Sequence, residues 1–153
     1  MTDTITLRPA RREDVAAIVA MLADDALGQA RERIENPLPA AYLAAFDAIA
    51  RDDKIRLMVA DDGGAVVGCL QLCILPGLSS QGTPRALIED VRVASPCRSR
   101  GIGERLVRWA IGEAQARHCK IVELLTHHTR VDAQRFYKRL GFADSHVGMV
   151  LRF

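Results

Sequence analysis

Aromatic residues are scarce in this sequence: Phe, Trp and Tyr make up 5% of its 153 residues. No stripe of stacking side chains accompanies its arginines, which argues against nucleic acid as a partner. Cysteine is equally thin. Cys69, Cys73, Cys97 and Cys119 are scattered, without the close pairing of a zinc site, so no metal is expected. Cys69 and Cys73 share one face of an alternating apolar stretch and read as small buried hydrophobes of a reducing compartment. Cys97 lies beside a basic loop, the setting that lowers a thiol pKa. No apolar run approaches the roughly 20 residues that cross a bilayer. The N-terminal MTDTITLRPARRED has no apolar run behind a basic flank. Neither a membrane partner nor a signal peptide is therefore expected, and the expected location is cytoplasmic. Repeats, low-complexity tracts and linkers are missing as well, which leaves one domain over residues 1–153.

Strong charge of either sign is also lacking, since the net charge is only +2. The charges are unevenly placed, however. Residues 1–75 hold 8 basic and 12 acidic side chains, and residues 76–153 hold 13 and 7. A basic half suits a polyanionic small ligand.

Apolar spacing gives the elements. Thr4 to Arg8 alternates as a short strand. A helix follows from about Arg11, with Val15, Ile18, Val19 and Leu22 at i, i+3, i+4 and i+7. Gly28 to Pro39 is a charged connection that Pro37 and Pro39 keep from being one helix. Tyr42, Phe46 and Ile49 stripe a second helix. Strands Ile55–Ala60 and Ala65–Leu75 flank the hairpin signal Asp61-Asp62-Gly63-Gly64. After a loop from Pro76 to Pro84 come a central strand, a helix over about Gly101–Arg117, a strand over Ile121–Thr126 and a helix over Asp132–Leu140. That first helix turns Ile102, Leu106, Trp109, Ala110 and Ile111 inward. Phe142 to Phe153 reads as a closing pair of strands. The expected fold is α/β: a mixed, mainly antiparallel sheet with helices on both faces.

The richest stretch is Ala86 to Val107, ALIEDVRVASPCRSRGIGERLV. An apolar strand enters a loop of Arg98, Ser99, Arg100, Gly101, Ile102 and Gly103, which opens straight into a helix. The first N–H groups of a helix have no intrahelical partner, and its dipole adds partial positive charge. Glycine allows close main-chain approach, and arginine adds forked charge. Together these make a phosphate pocket. An ordinary β–α turn could carry the same residues without a ligand.

Two patterns carry a resemblance. Arg98-Ser99-Arg100-Gly101-Ile102-Gly103 resembles the Q/R-x-x-G-x-G/A pyrophosphate loop of the GNAT superfamily of acetyl-CoA-dependent N-acetyltransferases. Asp132-Ala133-Gln134-Arg135-Phe136-Tyr137-Lys138-Arg139-Leu140-Gly141-Phe142 resembles its A-x-x-F-Y-x-x-x-G-F helix and turn. With the element order, the resemblance spans essentially the whole chain. It implies a sheet whose fourth and fifth strands splay apart to admit the pantetheine arm of acetyl-CoA. Backbone groups of Val91, Arg92 and Val93 would pair with that arm. The main chain of Arg98 to Gly103, with Glu104, would hold the pyrophosphate, and Phe136 would join the cofactor site. Such relatives often form dimers, so a homodimer is the assembly to test.

The resemblance also implies catalytic roles. Tyr137 is placed to protonate the departing thiolate, or else merely packs beside Phe136. Glu89 is the candidate base for the attacking amine, directly or through water. Strict strand alternation would point Glu89 and Asp90 to opposite faces, so only one could serve, and Asp90 stays open. Arg130 stands where many relatives carry an Asn that touches the pantetheine arm, which turns Arg130 toward phosphate or acceptor. His127 and His128 follow the fifth strand and read as exposed. The acceptor, expected to be a small-molecule amine, would be read by Asp24 to Pro39 and Pro76 to Arg85. Around Trp109 and from Thr126 to Tyr137 the sequence also resembles bacterial aminoalkylphosphonate acetyltransferases, which hints at an amine with an anionic tail. Protein acetylation and a non-catalytic acyl-CoA-binding module are the alternatives.

Overall fold

A computed structural model describes residues 4–153. Met1–Asp3, part of the stretch read for a signal peptide, lie outside the described residues. Two compact units emerge, residues 1–123 and 124–153.

The first unit is built on strands β1 (Ile5–Pro9), β2 (Ile55–Asp62), β3 (Ala65–Leu75) and β4 (Arg85–Val93). They lie in sequence order and pair antiparallel, because each is joined to the next by a hairpin or a connection that doubles back. The short strand β5 (Val122–Leu124) follows β4 in parallel at the end of the sheet. Its start is tied by Ala86 N–H donating to Ile121 O at 2.9 Å. β5 is far shorter than the Ile121–Thr126 expected from its apolar content.

Helices cover both faces of this sheet. β3 decides which covers which, because its successive side chains alternate. Cys69 packs with Ile18 and Met21 of α1 (Val15–Leu22) and with Val59. A Cβ on the neighbouring Gly68 would meet Ile102 and Leu106 of α5 (Ile102–Ala116) at 3.0 and 3.1 Å. α1 and α5 therefore lie on opposite faces. Buried residues of α5 are Ile102, Leu106, Val107, Ala110 and Ala114. Trp109 and Ile111, expected inward, are only half-buried, because the inner stripe is centred one position away from them.

Between α1 and β2 come the one-turn helix α2 (Ala26–Gln29) and α3 (Ala40–Arg51), with no residue of α3 fully buried. Gly28 can only be glycine: a Cβ there would sit 2.0 Å from Leu22 O. A single kinked turn, α4 (Ser79–Gly82), interrupts the loop before β4. One polar knot stands out in the core. Arg8 of β1 forks onto Asp14 at 2.7 and 3.0 Å and reaches Asp61 of β2 at 2.7 Å, while Asp14 also accepts from Arg11 N–H. Asp14 is 5% exposed, and its hydrogen bonds from Arg8 hold its carboxyl below the usual range.

In the second unit α6 (Val131–Arg139) is strongly amphipathic and ends at Gly141, whose φ of +97° terminates it. Residues 142–153 carry no strand, contrary to the expected closing pair. Val147, Met149, Leu151 and Phe153 alternate as a strand would, but they face solvent. Alternation supplies a face, and a strand also needs a neighbouring edge to bond.

Candidate functional site

The chemistry-bearing part of β4 departs from a regular strand. Gln71 of β3 is opposite Glu89, yet Cys69 is opposite Arg92, so one extra β4 residue is taken up between them. Asp90 absorbs it with a left-handed φ of +53°, and its carbonyl accepts from Cys69 Sγ at 3.4 Å. This is a β-bulge. It corrects the alternation assumed above, because side chains across a bulge no longer alternate. Opposed residues share a face, and Cys69 and Gln71 share one with each other. Glu89 and Arg92, three positions apart, therefore emerge on the same face, the one covered by α1.

Glu89 keeps its tip in solvent and receives a long contact of 3.5 Å from Gln71 Nε2. Desolvation by the surrounding protein, reinforced by the Asp90 carboxylate, pushes its carboxyl above the usual range. That is the direction a general base needs. Arg92 is half-buried; its Nη1 donates to Val91 O at 3.0 Å, and its Nε is buried without a partner. Burial pushes the Cys69 thiol up to about 12, which makes it inert.

Past β4, Ser99 adopts a φ of +64° and Gly101 one of +76°, and Gly101 leads into α5 with no side chain capping the helix. Nothing lies within 4 Å of a Cβ built on Gly101, so the turn that leads into α5 is open at this residue. Both arginines of the loop have carboxylate partners. Arg98 pairs with Asp24 at 3.4 Å, and its Nε donates to Val93 O at 3.3 Å. Arg100 pairs with Asp62 at 3.1 Å and lies 3.7 Å from Cys97 Sγ. They pin the loop to the end of α1 and to the β2–β3 hairpin. Glu104 pairs with Arg108 at 2.7 Å, while Ile102 is 1% exposed and anchors the loop to the core. Carbonyls of Val91 and Val93 each accept one guanidinium N–H and keep a second lone pair.

Beside α1 lies a cleft of about 430 Å³ lined by Ala20, Ala23, Asp24, Gln29, Glu32 and Ile34. It belongs to the connection expected to read the acceptor. Tyr42 of α3 pins that connection: its hydroxyl accepts from Arg33 N–H at 3.0 Å and donates to Glu32 at 2.9 Å. Burial pulls the Glu32 carboxyl up, but Arg31 at 2.6 Å and Tyr42 outweigh it and hold it below the usual range. The Arg92 charge acts in the same direction on Glu32.

In the second unit, Tyr137 is half-buried on α6, edge-on to Phe136 at 5.0 Å and Phe142 at 5.8 Å between ring centroids. Its carbonyl accepts from Phe142 N–H at 3.1 Å, which locks the turn at Gly141 against the helix. Arg130 occupies the position before α6 without a side-chain capping bond, and Gln134 Nε2 donates to His128 O at 2.9 Å. His127 and His128 are exposed and stacked 4.4 Å apart. No metal-binding group of His, Cys, Asp or Glu occurs among the described residues, and no helix among them is long and apolar enough to cross a membrane.

Asp24, Asp62 and Tyr42 were not singled out as site residues from the sequence. The partners of Asp24 and Asp62 lie far away along the chain, and no local spacing marks them.

A family model described as "Acetyltransferase (GNAT) family" matches residues 16–142. Aminoalkylphosphonate N-acetyltransferase of Salmonella typhimurium is 31% identical over 141 residues, 92% of this chain and 86% of that protein. The crystal structure of a transcriptional regulator from Bacillus halodurans C-125 superposes with a TM-score of 0.95 at 47% identity, covering 97% of this chain and 99% of that one. Glucosamine-6-phosphate N-acetyltransferase from Arabidopsis thaliana shares the fold, with a TM-score of 0.82 at 19% identity over 99% of both chains.

Proposed function

Since the chain belongs to the acetyltransferase (GNAT) family and is an acyltransferase, we propose that it moves an acetyl group from acetyl-CoA to the primary amine of a small molecule. The transfer is a direct attack within a ternary complex. The observation that carries this reading is the first turn of α5, which follows left-handed Gly101 and has no side-chain cap. Unpartnered amides at a helix N-terminus are what a diphosphate needs. The family match spans both compact units, which supports one working domain over residues 1–153. The reading takes the cytoplasm as location, a homodimer as assembly, and neither nucleic acid nor membrane as partner.

Val91, Arg92 and Val93 offer backbone groups to the pantetheine arm, and the amides from Arg98 through Glu104 hold the pyrophosphate. Arg130 and Phe136 complete the cofactor contacts. Glu89 accepts the proton that the ammonium must lose before its nitrogen lone pair reaches the thioester carbon. A C–N bond then forms and the C–S bond breaks. The Tyr137 phenol gives a proton to the leaving thiolate. The aminoalkylphosphonate N-acetyltransferase relative supports a compact amine as acceptor.

Acetyl-CoA should raise the melting temperature with concentration. At about 100 times Kd the stabilisation is about 2.7 kcal/mol, or roughly 5–10 °C for a chain of this size. Thiol release should require both acetyl-CoA and an amine. No thermal shift at millimolar acetyl-CoA overturns the proposal. Binding without release across an amine panel favours a non-catalytic acyl-CoA module instead.

A further inference from the structure

Arg92 is an anomaly in the packing. It stands opposite Cys69, so it leaves the sheet on the face where Cys69, Ile18, Met21 and Val59 form an apolar cluster. A guanidinium in such a place normally spends its fork on a carboxylate. Here no carboxylate lies within ion-pair distance among the described residues, and Nε is buried with no acceptor at all. A buried donor left unmade costs about 1–3 kcal/mol, and more when it is charged. Every other arginine near the cleft is occupied: Arg31 by Glu32, Arg33 by Glu35 and Arg98 by Asp24. The bulge at Asp90 is what brings Arg92 to this face together with Glu89. Their partners Gln71 and Cys69 are two residues apart on β3, or about 7 Å along a strand. A carboxylate with a raised pKa and a guanidinium without a carboxylate partner thus share one face at the spacing of a short, doubly charged molecule.

From this we propose that Arg92 is the specificity-determining residue for the acceptor, binding an anionic tail a few bonds from the amine that Glu89 deprotonates. The ligand class is a short ω-amino acid whose acid end is a phosphonate or a carboxylate. The planar guanidinium is the cation whose geometry matches the oxygens of either anion, and an acceptor close enough to reach Nε would also satisfy that orphaned donor. Glu32, within the electrostatic reach of Arg92, lines the wall of the adjoining cleft and disfavours acceptors that are anionic throughout. This assignment rests on the acetyltransferase reading above.

The test uses the full chain with acetyl-CoA and three acceptors of similar length: 2-aminoethylphosphonate, β-alanine and n-propylamine. The wild type should prefer the two anionic-tailed amines, and their ranking distinguishes phosphonate from carboxylate. Arg92→Met should raise KM for the preferred acceptor tenfold or more, with a smaller change in kcat, and collapse its advantage over n-propylamine. Arg92→Lys, which keeps the charge and loses the fork, should recover part of that advantage. Methylphosphonate should raise the melting temperature of the wild type and not of Arg92→Met. An unchanged acceptor ranking in both variants overturns the assignment, as does a wild-type preference for n-propylamine. Should Arg92→Met fail to fold, the wild-type ranking and Arg92→Lys decide alone. If the wild type acetylates no amine at all, the acetyltransferase reading has failed, and methylphosphonate binding still reports on Arg92.

Discussion

Gly101→Ala separates the loop's conformation from its ligand. Gly101 has φ +76°, and nothing lies within 4 Å of a Cβ built there. Sterically the methyl is free, so the folding penalty is the left-handed strain alone, about 1–2 kcal/mol. Part of that is returned because alanine narrows the unfolded ensemble. A net loss of about 1 kcal/mol lowers the melting temperature by roughly 2–4 °C. Binding should suffer more. The methyl stands at the start of α5, where it is expected to deprive the diphosphate of one charge-assisted hydrogen bond. Such a bond is worth about 1.5–3 kcal/mol, which predicts a Kd for CoA weakened roughly ten- to hundredfold. Isothermal calorimetry with CoA measures it. Gly82→Ala is the control, since Gly82 has the same φ of +76° and the same open surroundings without lying on the loop. If Gly101→Ala binds CoA within twofold of the wild type while melting like the control, the diphosphate is not held at this helix start.

Glu89→Gln should lower kcat/KM by two to four orders of magnitude, the usual contribution of a general base. Because burial and Asp90 raise the Glu89 pKa, wild-type activity should climb with pH through a value above the ordinary carboxylate range; a limb that persists in Glu89→Gln assigns the base elsewhere. Asp14→Asn should cost about 2–3 kcal/mol, the worth of hydrogen bonds to a charged partner, read as a lower urea midpoint. The Asp14 pKa is depressed in the fold by Arg8. Its stabilisation is therefore present above the unfolded value of about 3.9 and is lost as pH falls through the folded one. The wild type should approach the variant's stability below pH 4, and a pH-independent difference would remove this ion pair from the account.

Most elements were legible because their signals are local. The helix over 102–116 lies within one residue at each end of the expected Gly101–Arg117, and Asp132–Leu140 is displaced by one residue. The loop before α5 was legible for the same reason, since strand, glycine turn and helix start are contiguous. The bulge was not. Nothing in Ile88-Glu89-Asp90-Val91 announces a left-handed residue; the only sign is a short polar side chain inside an apolar strand, and Asp tolerates that conformation. The ion pairs of Arg98 and Arg100 depend on partners from other segments, which spacing cannot reveal. The expected strands after Phe142 failed at the opposite point: the local alternation is there, but residues 142–153 form no strand.

On the roles proposed for Glu89 and Arg92, the bulge makes the phase of β4 a functional quantity. A β-branched residue at position 90 would resist a φ of +53° and favour straightening the strand. With that one residue reabsorbed, position 92 would rotate from the α1 layer to the α5 layer while position 89 stayed where it is. The fold could survive such a change with its sequence almost intact. The two charges would then address opposite sides of the sheet.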